Sequence, residues 1–450
     1  MSMNRRTFLK VLAGGAAGAS FSTSRLFNAF ADGGAMSKEF FIIIHQSGGW
    51  DVTLWSDPRN ERKGLVEPAS TDWLQNTQGI TKWVNQSLDA NTETFQLVKS
   101  GNYTLGPVMG SLTDMPDRFT LVNGISMNTV SHPDGTYFSS TGRHLAGGRP
   151  VNTSIDTLLA NEFGTSQLLP VVSVNFPSTF INGPLDQRVI PLRVSDVTAV
   201  AKSLNRSTLY DTTAEHDLVT AVLTEEAADL AKESFRPDVP MGIGLQYGAL
   251  QKMLGPDVQS LFNPNALKAA HPGFNYLGQY QKSNVINAAF AVEAIKRGLT
   301  RCVSFAMASC DTHNTNYRNH PFILQETFEM LATLIKELDS TTFANSSDKL
   351  SDHTHILVIS EFCRTPQINL NGGRDHYPNN SALIISPKFK TNFTYGKSDP
   401  DQLLPLDSGT FSDGVRAVTP PDVLATFLGA FGVDPRKYLR DGDVVKELLR

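Results

Sequence analysis

Four short segments of this sequence carry the residue types that bind divalent cations or supply a hydroxyl nucleophile. Asp51 closes His45-Gln46-Ser47-Gly48-Gly49-Trp50-Asp51, where two glycines let the backbone bend tightly and present a carboxylate. The same residues also suit a simple turn. Asp311 and His313 stand two apart in Ser309-Cys310-Asp311-Thr312-His313, the oxygen and imidazole mix that holds Zn or Mn. A capping Asp beside a surface His is the alternative. Between Glu361 and His376 lie two acids, Glu361 and Asp375, two arginines, Arg364 and Arg374, and His376 itself. A solvated charged loop could hold these types too. The fourth segment, from Asn123 to Gly135, offers the hydroxyls of Thr129 and Ser131. A hydroxyl is a weak nucleophile unless a cation or base activates it, and Ser131 and Asp134 could equally shape a turn around Pro133.

What makes the four segments one proposition is the element in front of each. Residues 40–44, 119–122, 302–307 and 356–359 are apolar, β-rich runs of the kind buried on both faces of a sheet. Further runs stand at 170–174 and 382–385. Residues 154–162, 217–234, 276–299, 322–338 and 422–431 repeat apolar residues three or four apart, as amphipathic helices do. This alternation predicts an α/β fold with a mainly parallel central sheet and helices on both faces. Ligands collect beyond the carboxyl ends of such strands, where all four segments fall. A helix starting near Ser131 would add free N–H groups that favour an anion. Residues 180–275, punctuated by Pro237, Pro240, Pro256 and Pro264, read as a helical insertion in a single domain spanning 32–450.

The 450 residues carry a net charge of -5, with 40% hydrophobic and 18% charged residues. That is a globular composition without the basic stretch that nucleic acid requires. Three cysteines, Cys302, Cys310 and Cys363, are too few for a disulfide-built scaffold. Residues 1–31 read as a twin-arginine signal peptide, with Arg5 and Arg6 ahead of a short apolar run in Asn4-Arg5-Arg6-Thr7-Phe8-Leu9-Lys10. The run at 11–21 is rich in Ala and Gly and well short of the roughly 20 strongly apolar residues of a membrane span, so no permanent anchor is expected. Ala29-Phe30-Ala31 suits a signal peptidase and would leave Asp32 as the first mature residue. A retained basic amphipathic helix would spread its charge, yet Arg25 is the one charge between Lys10 and Asp32. The expectation is passage through the twin-arginine translocase to the periplasm or the cell exterior.

Taken together, the loop at Asp51, Asp311-Thr312-His313, Ser360-Glu361-Phe362-x-Arg364-Thr365-Pro366 and Gly373-Arg374-Asp375-His376 resemble the bacterial secreted proteins grouped as domain of unknown function 1501, over most of the chain past the signal. That family looks like a branch of the alkaline phosphatase and sulfatase superfamily, whose members place two metal clusters at the carboxyl edge of a mainly parallel sheet. The resemblance implies Asp311, His313 and His376 as ligands of one divalent cation (Zn, Mn or Ca), with Asp375 adjacent. It implies Asp51 and Glu361 as ligands of a second cation, and Ser131 as the nucleophile. Arg364 or Arg143 would then pair with the non-bridging oxygens of the ester through the guanidinium fork.

Departures from the pattern carry information as well. Phe362 stands where superfamily phosphatases have His, so the second cation site loses an imidazole, which His45 or His132 at the same edge could replace. The Cys-x-Pro-x-Arg setting of formylglycine sulfatases does not occur near Ser131, which turns the expectation toward phosphate esters. Cys310 and Cys363 replace the family's Phe and Gly. If their strands are neighbours, the two lie within disulfide reach; two buried thiols are the alternative. His353 and His355, at the opposite edge, read as surface residues. The resulting expectation is an exported metal-dependent hydrolase of a small-molecule or glycan-linked anionic ester. Its rival is a secreted binding or assembly protein with a structural or vestigial metal site.

Overall fold

Strand β1 (Phe40–Gln46) is buried along its whole length. Its side chains alternate between two cores, Phe40, Ile42 and Ile44 joining one and Phe41 and Ile43 the other. A strand with two apolar faces must lie between two helical layers. The computed structural model describes residues 38–58, 88–89, 94–95, 97–197, 225 and 260–450, apart from 166, 168, 182, 184, 276–279, 282–283 and 343–346.

Among the described residues, seven further strands join the sheet: β2 (Thr120–Val122), β3 (Val171–Val174), β4 (Leu192–Val194), β5 (Cys302–Met307), β6 (Thr354–Ile359), β7 (Ala382–Ile385) and β8 (Phe393–Tyr395). Their order is β8-β2-β7-β6-β1-β5-β3-β4. Only β7 runs antiparallel to its two neighbours; the remaining pairs are parallel. Helices α1 (His132–Thr141), α2 (Ile155–Phe163) and α5 (Pro420–Gly429) cover one face, through Phe138, Leu158, Leu159, Leu424 and Phe427. The other face is covered by α3 (Val285–Lys296) and α4 (Asn316–Ser340), through Phe290, Leu324, Phe328 and Leu331. The expected mainly parallel α/β architecture is therefore the fold. Spacings of four and three residues along Leu324, Phe328, Leu331, Ile335 and Leu338 give α4 its apolar stripe, at most 2% exposed; each such side chain contributes roughly 1.5–3 kcal/mol by burial. Among the described residues, no helix is long and apolar enough to cross a membrane. The signal segment 1–31, the helix expected over 217–234 and most of the insertion expected over 180–275 lie outside the described residues.

One open alternative is decided, for the cysteines, and one expectation is corrected, for His355. Cys310 and Cys363 are free, buried thiols, because β1 lies between the strands that lead to them. Two strand spacings come to about 9.5 Å, beyond the roughly 7 Å a disulfide tolerates. Burial pushes both thiols, and that of Cys302, well above the usual range. His355 is fully buried rather than exposed. Ser386 Oγ lies 2.8 Å from its Nδ1 and Glu39 Oε2 lies 2.5 Å from its Nε2, so both ring nitrogens are satisfied without water.

A second buried histidine ties the segment before α3 to the helical layer. His271 places Nδ1 2.9 Å from Glu337 and Nε2 3.2 Å from Glu293, and Glu293 also meets Lys296 and Arg297 at 3.1 and 2.8 Å. Burial alone would lower the pKa of His271, but its bonds to Glu293 and Glu337 raise it above the ordinary 6.5. Glu293 is drawn down to about 2, chiefly by its bond to His271. The histidine's contribution to stability is full below about pH 6.5 and fades as pH climbs through its raised folded value; that of Glu293 is full above about pH 4.5 and fades as pH falls toward about 2. Thermal unfolding of His271→Gln beside the wild type should show the largest deficit between those limits and a shrinking one above pH 7. A deficit independent of pH would show that the imidazole is uncharged.

Candidate metal centre

The loop after β1 enters the gap between the ends of β5 and β6 by way of two left-handed glycines, Gly48 at φ 86° and Gly49 at φ 70°. A Cβ on Gly48 would lie 2.5 Å from the Asp311 amide nitrogen, and one on Gly49 2.5 Å from the Phe362 ring. Only glycine permits this approach. Arg364 then clamps the loop, donating to the carbonyls of Gly48 and Gly49. Beyond β6 a short antiparallel ribbon, Cys363–Arg364 with His376–Tyr377, folds His376 back over the same edge. From β2 the chain reaches α1, whose first residue is His132.

These elements bring His132, Asp311, His313 and His376 together, with one ligand-type atom of each lying within 4.8 Å of all the others. The Nε2 atoms of His313 and His376 are 2.9 Å apart. Asp311 Oδ1 stands 3.1, 3.5 and 3.9 Å from Nε2 of His313, His132 and His376. Behind each ring an acceptor holds Nδ1: Glu361 Oε1 at 3.0 Å for His132, Asp375 Oδ1 at 2.8 Å for His313, and the Val130 carbonyl at 2.7 Å for His376. An acceptor at Nδ1 requires the proton there, so in the neutral ring Nε2 is left as a lone pair. Three lone pairs thus converge beside a carboxylate, an arrangement that repels itself unless something positive sits among them. A single extra proton serves one contact, whereas a cation serves all four. Among the described residues, His132 Nε2 is moreover buried without a hydrogen-bond partner, as expected of an atom facing a ligand position. Outer acceptors that orient ligating imidazoles are a regular part of metal sites.

The family model described as "Protein of unknown function (DUF1501)" matches residues 39–443, a span that includes every residue of the cluster. The chain belongs to that family. A search of curated proteins found no match. Among solved structures, the lipoteichoic acid synthase LtaP from Listeria monocytogenes is similar with a TM-score of 0.39 at 9% identity, covering 97% of this chain and 81% of that one. A protein in the alkaline phosphatase superfamily from Vibrio parahaemolyticus is similar with a TM-score of 0.31 at 9% identity, covering 97% and 78%.

In this DUF1501 member the residues singled out from the sequence have separate placements. Asp311, His313 and His376 share the cluster, and Asp375 stands behind His313. His132, legible only as a replacement imidazole, is a full member of the cluster. Glu361 lies behind His132, 3% exposed; burial works against its charge, but His45, His132 and the Gly48 N–H outweigh that and keep its pKa below the ordinary value.

Asp51 is elsewhere. Fully buried, it accepts from Thr53 N and Oγ1 at 3.1 and 2.6 Å and from Asn316 Nδ2 at 3.0 Å, and it pairs with Arg374 Nε at 3.0 Å. Arg364 is also fully buried. Its guanidinium is occupied by the Gly48, Gly49 and Arg374 carbonyls and by Asp311 Oδ1 at 2.7 Å. Arg143 follows the far end of α1, about 15 Å of helix from His132. Ser131 is the N-cap of α1, exposed and without a side-chain capping bond, while the Thr129 hydroxyl accepts from the Ser131 N–H at 3.2 Å.

No local pattern reveals the buried roles of His320, Thr312 and Asn316, which close a ring beneath the centre. The Asp51 N–H donates to His320 Nε2 at 2.8 Å, and His320 Nδ1 therefore donates to Thr312 Oγ1 at 2.8 Å. Thr312 donates to Asn316 Oδ1 at 2.5 Å, and Asn316 returns to Asp51. Burial lowers the His320 pKa to about 3, which keeps the ring of bonds neutral at this member. Asn316 and His320 lie in the first turns of α4, ahead of the apolar stripe, where no periodicity could reveal them.

Proposed function

We propose that this protein is an exported, cation-dependent hydrolase of phosphate or sulfate esters, with His132, Asp311, His313 and His376 as ligands of its divalent cation. The observation that carries this reading is the convergence of three Nε2 atoms on one carboxylate, each imidazole turned inward by an acceptor at Nδ1. Three nitrogens and one oxygen suit Zn or Mn; Ca prefers an all-oxygen shell. Such a cation supplies Lewis-acid stabilisation of an ester's anionic oxygens. Ser131 is the candidate nucleophile in this reading, supported by its neighbours on both sides touching the cluster, Val130 through its carbonyl to His376 and His132 through its ring. The N-terminus of α1 adds a favourable field for an anion. Arg364 holds the Asp311 carboxylate in place, acting as a positioning residue. A cleft of about 500 Å³ between Thr365–Asn369 and Asp401–Gln402 adjoins Asp375 and offers room for the alcohol portion of an ester. Twin-arginine export fits the same reading, because a chain that crosses folded can receive its cation beforehand.

Metal analysis of the purified chain, followed by turnover assays on aryl phosphates, phosphodiesters and aryl sulfates, tests the proposal. We expect bound Zn or Mn, turnover on one ester class, loss of turnover with a chelator and its return on adding the cation back. Ser131→Ala should lower kcat by at least about 100-fold if its hydroxyl attacks. Stoichiometric cation without turnover on any ester class would favour the rival, a secreted binding or assembly protein with a structural cation. A chain that takes up no divalent cation would exclude the hydrolase and the structural-cation form of the rival, leaving its vestigial form.

A further inference from the structure

We infer that this centre holds one cation, not two, and that Glu361 is the buried anion positioning His132 rather than a ligand to a second ion. The inference rests on the cation reading above and adds to it the number of ions and the role of this carboxylate.

A carboxylate offers about four lone-pair sites, and the oxygen of Glu361 that faces the centre is already met by protein. Oε1 accepts from the Gly48 N–H at 2.6 Å and from His132 Nδ1 at 3.0 Å. Oε2 lies 3.3 Å from His45 Nε2 and 3.1 Å from Ser360 Oγ, whose proton goes to the Gln46 carbonyl at 2.7 Å. The space alongside is filled by the Phe362 ring, fully buried, with its centroid 4.7 Å from that of His132 and 4.6 Å from that of His376. Asp51, the other carboxylate at this edge that a second ion would draw on, is bound to Thr53, Asn316 and Arg374. A second cation would have to strip buried donors from both acids and leave those donors unpaired, which costs more than an exposed site would.

The same contacts explain what Glu361 does. Three acceptors orient the three histidines, but they differ in kind. Asp375, behind His313, is 55% exposed at its side chain, and the acceptor for His376 is a backbone carbonyl. Only His132 is oriented by a charge sealed from water, where an electrostatic interaction is least screened. Loss of an outer carboxylate partner lowers metal affinity by about 10–100-fold, and the effect at Glu361 should fall at the upper end. His45 Nε2, buried and without a hydrogen-bond partner among the described residues, lies 3.3 Å from Oε2 behind Glu361.

Titration of the full chain with Zn2+ against a competing chelator, combined with metal analysis of the saturated protein, decides the matter. The wild type should bind one ion. Glu361→Gln should still bind one, with affinity reduced by about 10–100-fold. Because Glu361 acts through His132, the same substitution made in a His132→Ala background should change affinity by less than about threefold. Glu361→Asp, which keeps the charge but shortens its reach, replaces Glu361→Gln if that variant does not fold, and should also weaken binding without altering the count. Two ions in the wild type, falling to one in Glu361→Gln with the tighter affinity unchanged, would overturn the inference and leave the cation site standing. No Zn2+ bound by the wild type would overturn both.

Discussion

Asp311→Ala is expected to abolish cation binding and, with it, ester hydrolysis. Asp311 is the one carboxylate in the cluster, and its Oδ1 is also the acceptor for Arg364 at 2.7 Å. Removing it leaves three imidazoles that offer no charge to a divalent ion, beside a buried guanidinium that repels it. The affinity loss should exceed the roughly 100-fold that a missing outer partner can cost. Isothermal titration with Zn2+ and the ester assays read the two effects separately. Binding within about tenfold of the wild type would show that the cation is held by other groups.

The second large effect is structural. Asp51→Ala should destabilise the fold by about 3–5 kcal/mol, because it leaves Arg374 charged and buried without its counter-ion. Such a loss is a large part of the roughly 5–15 kcal/mol that holds a typical domain together. It also opens the ring of bonds through His320, Thr312 and Asn316. Urea unfolding of the metal-free protein gives the change in stability, and metal analysis under conditions where the variant stays folded should still find a bound cation. A variant of wild-type stability that binds fewer ions would mean that Asp51 is a ligand after all.

Asp51 and Glu361 mark the limit of what spacing reveals. Both stand at strand ends beside the centre, and a carboxylate at a strand end has the same sequence signature whether it meets an ion, a guanidinium or an imidazole. Its partners differ because of residues far away in the chain: Arg374 and Asn316 for Asp51, His45 and His132 for Glu361. Arg364 shows the same ambiguity, since a guanidinium near a cluster of acids can as well brace a loop as face a substrate. His132 is less legible in the sequence because it belongs to a helix start, not to the end of a strand.

Local pattern was enough for much else. Apolar runs without a polar face marked the six strands at the heart of the sheet, since burial on both sides leaves that imprint on each residue in turn. The edge strands Leu192–Val194 and Phe393–Tyr395 escaped notice, being three residues long and only partly buried. Asp311, His313 and His376 were legible because strand-end position and donor type are both local properties. Only the tertiary structure decided that β1 separates β5 from β6, which keeps Cys310 and Cys363 apart, and that the acids around the centre are already partnered. Strand order and the pairing of buried charges depend on contacts between residues hundreds of positions apart, and these are set by the packing of the whole chain.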